Sequence, residues 1–275
     1  MRNDSDNHPG RMPACPPNRT LNFFRKTFVI VGLEVRKLKH DPTELLTRAA
    51  QPALWMLVFG EVFTRVRAIP TGNLSYLDFM APGILAQSVL FVAIFYGISI
   101  IWERDLGIVH KFLVSPTPRT ALVLGKALSA GVRAVSQAVI IYLLSLLLHV
   151  RLVWEPLNLL GILLVVVISA SLFSTFSLII ACVVKTRERF MGIGQVITMP
   201  LFFASNAIYP VAIMPDWLKA IARVNPLTYE VDALRALMIT GGESVYGINF
   251  DFAAICLAMV MLTAIAAKLY PNVVR

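Results

Sequence analysis

LNLLGILLVVVISASLFSTFSLIIACVV, residues 157–184, runs 28 positions without an Asp, Glu, Lys, Arg or His. A helix needs about 20 mostly apolar residues to cross the hydrocarbon core of a bilayer. This segment exceeds that length with no charge to desolvate, so it decides the class: a helix that crosses a membrane. Ser169, Ser171, Ser174, Thr175 and Ser177 fall within it. Small hydroxyl residues let helices approach closely, so they are read as packing positions rather than a polar pathway.

Five more segments have the length and apolar content of a span, at roughly 45–64, 79–102, 121–149, 190–212 and 250–270. The first is interrupted by Arg48, Gln51, Pro52 and Glu61; Arg48 can snorkel to the interface from a helix end. Over the 275 residues, 57% are hydrophobic and 15% charged, where a soluble domain carries about a quarter charged residues. Mean hydropathy is +0.72. The expectation is an all-α polytopic membrane protein with six transmembrane helices.

Residues 1–20 are rich in Pro, Asn and charge and hold no apolar stretch, so they read as a disordered tail without a cleavable signal. Cys15, Cys182 and Cys256 are too scattered for a disulfide framework or a metal site. The last two are expected to be buried packing residues. Three Asn-X-Ser/Thr triplets, at Asn3, Asn18 and Asn73, carry no weight, because such short matches arise by chance.

Charge orients the spans. With the N-terminus inside, 17 of the 25 Lys and Arg lie on the inner side and 6 on the outer, while Arg48 and Arg133 fall within spans. Excess Lys/Arg marks the cytoplasmic side, so both termini are expected there. The net charge of +9 then speaks for anionic lipid rather than nucleic acid.

Before the first span, Leu21, Phe24, Phe28, Val31, Val35 and Leu38 share one helical face. Basic residues cover the remainder, the pattern of a helix lying in the interface. Residues 21–40 are therefore an amphipathic interfacial helix that anchors the chain, contacts a partner, or does both. Residues 41–275 form the six-span unit.

WERDLGIVHKFLVSPTPR, residues 102–119, joins the second and third spans. Acid, histidine and serine invite a catalytic reading, but Leu106, Val109, His110 and Leu113 share one helical face. Ser115-Pro116 stops the helix and Thr117-Pro118 can start the next. The segment is read as a short amphipathic helix and a rigid elbow. Gly125-Lys126 resembles the end of a phosphate loop, yet Thr120 and Ala127 stand where Walker A needs Gly and Ser/Thr.

Between the last two spans, Trp217, Leu218, Ile221 and Ala222 form one apolar face. Asn225-Pro226 can cap and start a second short helix with Leu227, Val231, Leu234 and Met238. Such helices can re-enter the membrane where protein shields them. Glu230, Asp232 and Arg235 lie on this element: either they serve function, as charges within membranes do, or Asp232 and Arg235 pair at i, i+3 near water.

Taken in order, these blocks resemble the permease subunit of ABC type-2 exporters, in particular the daunorubicin-resistance (DrrB-like) and nodulation-factor (NodJ-like) exporters. The resemblance spans residues 21–270. It rests on Gln51-Pro52 with LWMLVFGEVF, on YLDFMAPGILAQ (76–87), on the block 102–126, and on MPDWLKAIARVNPLTYEVDALRALM (214–238). It implies a chain without an ATPase site, cofactor or metal of its own. Two ATP-binding subunits carrying ATP and Mg, and a second permease chain, identical or paralogous, would complete the assembly in the inner membrane. The ATPase-coupling residues carried over are Glu103, Arg104, Gly107, Val109, Leu113, Ser115, Pro116 and Arg119, with residues 21–39 beside them. The outer re-entrant signature is Pro215, Trp217, Leu218, Asn225, Pro226, Tyr229, Asp232 and Arg235. The implied cargo is an amphipathic drug, lipid or glycolipid-like molecule; the alternative is a polysaccharide or lipo-oligosaccharide.

Two other classes compete. A membrane enzyme acting on lipid would need convergent titratable groups, but Glu61, Asp78, Glu230 and Asp232 follow no catalytic spacing. An ion-coupled carrier would show charges deep in spans and internal repeats, and neither is evident.

Overall fold

The structure, a computed structural model, describes residues 47, 50–66, 69–72, 74–106, 119–184 and 186–269. Every named element in that set is a helix, and the one β contact is an isolated bridge between Leu152 and Ile239. The tail 1–20 and the amphipathic segment 21–40 lie outside the described residues.

Helix α1 covers 50–66 and changes character along its length: π-helical over Trp55–Gly60, then α-helical over Glu61–Val66. It is followed by α2 (Tyr76–Asp105), α3 (Arg119–Leu147), α4 (Pro156–Val183) and α5 (Arg187–Phe203). Two short helices, α6 (Asp216–Val224) and α7 (Pro226–Met238), precede α8 (Ile248–Leu269). Among the described residues, four helices are long and apolar enough to cross a membrane: α2, α3, α4 and α8.

The segment that decided the class lies at the centre. α4 packs against α2, α3, α7 and α8, and Ser169, Ser171, Ser174, Thr175 and Ser177 are all buried. Their small side chains serve close approach as expected. Ser171 Oγ donates to Val167 O at 2.7 Å and lies 3.2 Å from Ala127 O of α3, while Ser177 Oγ donates to Ile94 O of α2. Pro156 opens the helix at its first turn, where a missing N–H costs nothing. α3 closes differently: His149 takes a left-handed φ of 57°, and Val150 N donates to Ser145 O, the long bond of a Schellman motif.

Two expectations are corrected. The segment 190–212 is not one continuous helix, because α5 stops at Phe203. Pro200 lies in its last turn, and Ser205 turns its hydroxyl back to Phe202 O at 2.7 Å while accepting from Ala207 N at 3.3 Å. Local side-chain bonds of this kind compete with helix continuation. The 17 residues of α5 rise about 26 Å, at the lower limit of the roughly 17–25 residues that a transmembrane helix uses. The cysteines are also less buried than expected: Cys182 is half-buried and Cys256 is exposed on α8, the helix with the least buried surface among the four long ones.

The backbone that turns back after α5 rests on α2. Gly83 has no side chain to hold it off: a Cβ there would meet Ala207 O at 2.4 Å and Ala207 Cα at 2.7 Å. Backbone cannot swing aside as a side chain can. Gly83→Ala is expected to destabilise the fold by about 1–3 kcal/mol or more through overpacking, measured as a fall in thermal midpoint. Gly192→Ala, with nothing within 4 Å of its Cβ position, is the matched control and should leave the midpoint unchanged or slightly higher. Equal midpoints for the two variants would contradict the close contact.

Candidate functional site

The two ends of the bundle carry different chemistry. At one end lie the last turn of α2 and the first turns of α3 and α5. α2 runs through the acidic start of the 102–119 block rather than stopping at Trp102, and α3 begins at Arg119. Glu103 and Arg104 are thus helical residues. Gly107, Val109, Leu113, Ser115 and Pro116 lie outside the described residues.

Two charge contacts fasten this end. Lys126 Nζ donates to Glu103 Oε1, tying α3 to α2. The Lys126 and Glu103 side chains keep 8% and 16% of their exposure, so the pair is mostly desolvated. Asp105 Oδ2 accepts from Arg187 Nη2 at 2.9 Å, tying α2 to α5, and the same guanidinium lies 3.7 Å from the Trp102 ring centroid. Arg133 and Lys126 both stand over the Tyr96 ring, at 5.3 and 5.9 Å. Lys126, dismissed as a phosphate-loop remnant, is the counter-charge of Glu103. Sequence offers no periodicity that joins residues 23 apart across a turn.

The opposite end is built around α6 and α7, which arise where the sequence places them. Pro215 leads into α6 in extended backbone, and Asn225 Oδ1 accepts from Leu227 N at 3.0 Å with Pro226 at the first helical position of α7. Trp217 and Leu218 line an apolar groove with Val196, Pro200 and Phe203 of α5. Tyr229 packs at a tilt against Tyr246 and edge-on against Phe250, at 5.3 and 5.7 Å between ring centroids.

Asp232 is the hub. It is fully buried, and its Oδ2 accepts from Val245 N at 2.7 Å, Tyr246 N at 3.1 Å and Ser244 Oγ at 3.1 Å. Oδ1 accepts from Asn206 Nδ2 at 3.2 Å and lies 3.8 Å from Arg235 Nη1. Arg235 in turn donates to Asn206 O at 2.7 Å and stacks on Phe79 of α2 at 3.9 Å. The i, i+3 pair therefore exists, but in the interior rather than at a wet surface. Asn206, Ser244 and Asp251, which is bonded to Ser244 at 2.8 Å, complete the cluster. Sequence reading did not connect them, since each comes from a different segment.

Asp78 does comparable work at this end, accepting from Arg151 N at 3.0 Å and Arg151 Nε at 2.9 Å. Glu230 is the exception. Both its carboxyl oxygens are buried without a hydrogen-bond partner among the described residues. Desolvation outweighs the Ser169 hydroxyl beside it, so the neutral acid is the form that this interior tolerates. The groups weighed for catalysis are thus dispersed. Asp232 and Asp78 are held in structural bonds, Glu230 is buried beside Ser169 on α4, and Glu61 pairs with Arg65 on an exposed surface. Among the described residues no group of His, Cys, Asp or Glu could hold a metal ion.

Comparison with known proteins agrees with this architecture. The family model for ABC-2 type transporters matches residues 25–239. The ycf38 transport permease of Cyanophora paradoxa is 30% identical over 222 residues, covering 78% of this chain and 74% of that protein. The daunorubicin resistance ABC transporter permease protein DrrB1 of Streptomyces coeruleorubidus is 28% identical over 200 residues, 73% of this chain and 70% of its own. Nodulation protein J of Rhizobium leguminosarum bv. trifolii is 25% identical over 219 residues, 79% and 81% respectively.

Proposed function

The chain belongs to the ABC-2 type transporter family, and from that premise we propose that it is the permease subunit of an ATP-driven exporter. A separate ATP-binding subunit, present in two copies, hydrolyses ATP with Mg, and a second permease chain completes the pathway. The chain crosses the inner membrane six times, with α1 and α5 as the two spans beyond α2, α3, α4 and α8. Both termini are cytoplasmic, residues 21–40 lie on the inner surface, and α6 and α7 re-enter from outside. The cargo is an amphipathic drug, lipid or glycolipid-like molecule.

One observation carries the mechanical reading: the end of α2 is bonded to both α3 and α5, through Glu103–Lys126 and Asp105–Arg187. A push on the following elbow then moves three helices together instead of bending one. ATP favours one closure of the partner, and the permease follows only as far as its own states differ in affinity for that closure. At the far end, the Asp232 hub holds α7, the 244–246 segment and the chain after α5 as one piece, which gives the moving helices something rigid to work against.

The test uses Leu106, which is 67% exposed just past the last turn of α2. With the ATP-binding subunit co-expressed, Leu106→Cys is expected to crosslink to cysteines introduced on that subunit, and ATP should change the yield. A Leu106→Cys chain that stays open to water-soluble thiol reagents throughout turnover and never crosslinks would refute the coupling assignment. Product chemistry on a lipid substrate, in detergent and without ATP, would instead favour an enzyme.

A further inference from the structure

Midway along α2, away from both polar ends, a cavity of about 260 Å³ opens between α1, α2 and α3. Gln51 of α1, Gln87 and Ser88 of α2, and Gln137 of α3 line it together with Phe91, Val92 and Phe95. Gln87 and Gln137 are 2% and 0% exposed, and among the described residues neither amide has a hydrogen-bond partner for its nitrogen or its oxygen. Native interiors rarely leave such groups unpaired, because each forfeits its hydration for nothing. Here two complete carboxamides, on two helices, face one cavity with a third carboxamide at its wall.

Depth sharpens the point. Gln87 is the twelfth residue of the 30-residue helix α2, about 16 Å from its start at 1.5 Å per residue. That places the amides inside the hydrocarbon layer, where an unsatisfied polar group has no water to turn to. Among the described residues no Asp, Glu, Lys, Arg or His lines the cavity, so these walls offer a charged ligand no counter-charge. A carboxamide offers a donor and an acceptor side by side, which matches a hydroxyl, itself donor and acceptor. The volume is below the roughly 300–1,000 Å³ of sites that enclose a drug-sized molecule, so it takes one end of a ligand. Phe91, Val92 and Phe95 supply an apolar wall for the portion next to that end.

We propose that Gln87 and Gln137, with Gln51, form an intramembrane binding site within a single chain for the uncharged, hydroxyl-bearing end of an amphiphile. The site deepens the exporter reading and rests on it for its role in transport, but binding itself requires no ATP.

The probe is octyl glucoside carrying a photoreactive diazirine on its alkyl chain, added to the full-length chain in phosphatidylcholine nanodiscs. Saturable labelling is expected in peptides from 47–52 and 87–95, displaced by unlabelled octyl glucoside but not by octyl sulfate or octyltrimethylammonium. Gln87→Leu with Gln137→Leu should lower the saturable labelling at least tenfold. Val92→Phe, which keeps the amides and fills the space, should do the same and decides the matter if the double variant does not fold. Labelling that is nowhere saturable, that survives both variants, or that charged amphiphiles displace equally would overturn the site. Labelling absent from a chain that still binds its ATPase partner removes the site and leaves the exporter. Labelling intact in a chain that recruits no ATPase removes the exporter and leaves the site.

Discussion

Asp232→Ala should be among the most destabilising substitutions in this protein. It removes the acceptor for two backbone N–H groups and the Asn206 amide, and strips Arg235 of its counter-charge. Breaking a buried ion pair by deleting one partner costs about 3–5 kcal/mol, because the remaining charge stays buried and uncompensated. With about 2–4 °C lost per kcal/mol in a chain of this size, the thermal midpoint should fall by about 10 °C. Proteolysis within 239–247 should rise, since that segment is pinned by Asp232. Asp232→Asn keeps an acceptor for the backbone donors but leaves Arg235 uncompensated, so its midpoint should fall between wild type and alanine. Ser244→Ala removes one hydroxyl and should cost about 1 kcal/mol. An alanine variant at 232 no less stable than Ser244→Ala would show that the hub is not what holds the outer end.

How much of this was legible in the sequence follows from the range of the forces involved. The segment 157–184 and α4 agree within a residue at each end, because a charge-free run leaves the membrane as its only solvent. The expected 250–270 and the observed Ile248–Leu269 agree because the stretch between Asp251 and Lys268 carries no charge. The Asn225-Pro226 cap was equally readable, since a cap is a contact between neighbours in the chain. Local signals failed where the structure turns on distant partners. Nothing around Glu103 announces Lys126, and nothing around Asp232 announces Val245 or Asn206. Gln87 closes the apolar block 76–87, and its burial without a partner among the described residues follows only from how α1, α2 and α3 surround it. The end of α5 at Phe203 was missed because hydropathy stays high through Ala207-Ile208, while the Ser205 turn that stops the helix is a matter of two hydrogen bonds.

Breaking the tie between α2 and α3 should uncouple transport rather than unfold the chain. Glu103→Ala leaves Lys126 with 8% of its side-chain exposure and no carboxylate. Full burial would set that cost at about 3–5 kcal/mol, but Glu103 keeps 16% exposure and water reaches the pair, so about 1–3 kcal/mol is the fitting range. A chain with four long packed helices tolerates a loss of that size. The mechanical consequence is larger. On the proposed coupling route, a push delivered past Leu106 would reach α3 without the Glu103–Lys126 tie and tilt it less. Export in vesicles containing the ATP-binding subunit is expected to drop at least tenfold while ATP hydrolysis continues. The exchanged pair, Glu103→Lys with Lys126→Glu, restores the contact with its charges reversed and should recover much of the transport, whereas either reversal alone puts like charges together and should not. Normal export by Glu103→Ala would show that force reaches α3 by another route. If the exchanged pair failed to recover export while its thermal midpoint returned to wild type, the Glu103 carboxylate would be required for contact with the ATPase itself rather than for the tie to Lys126.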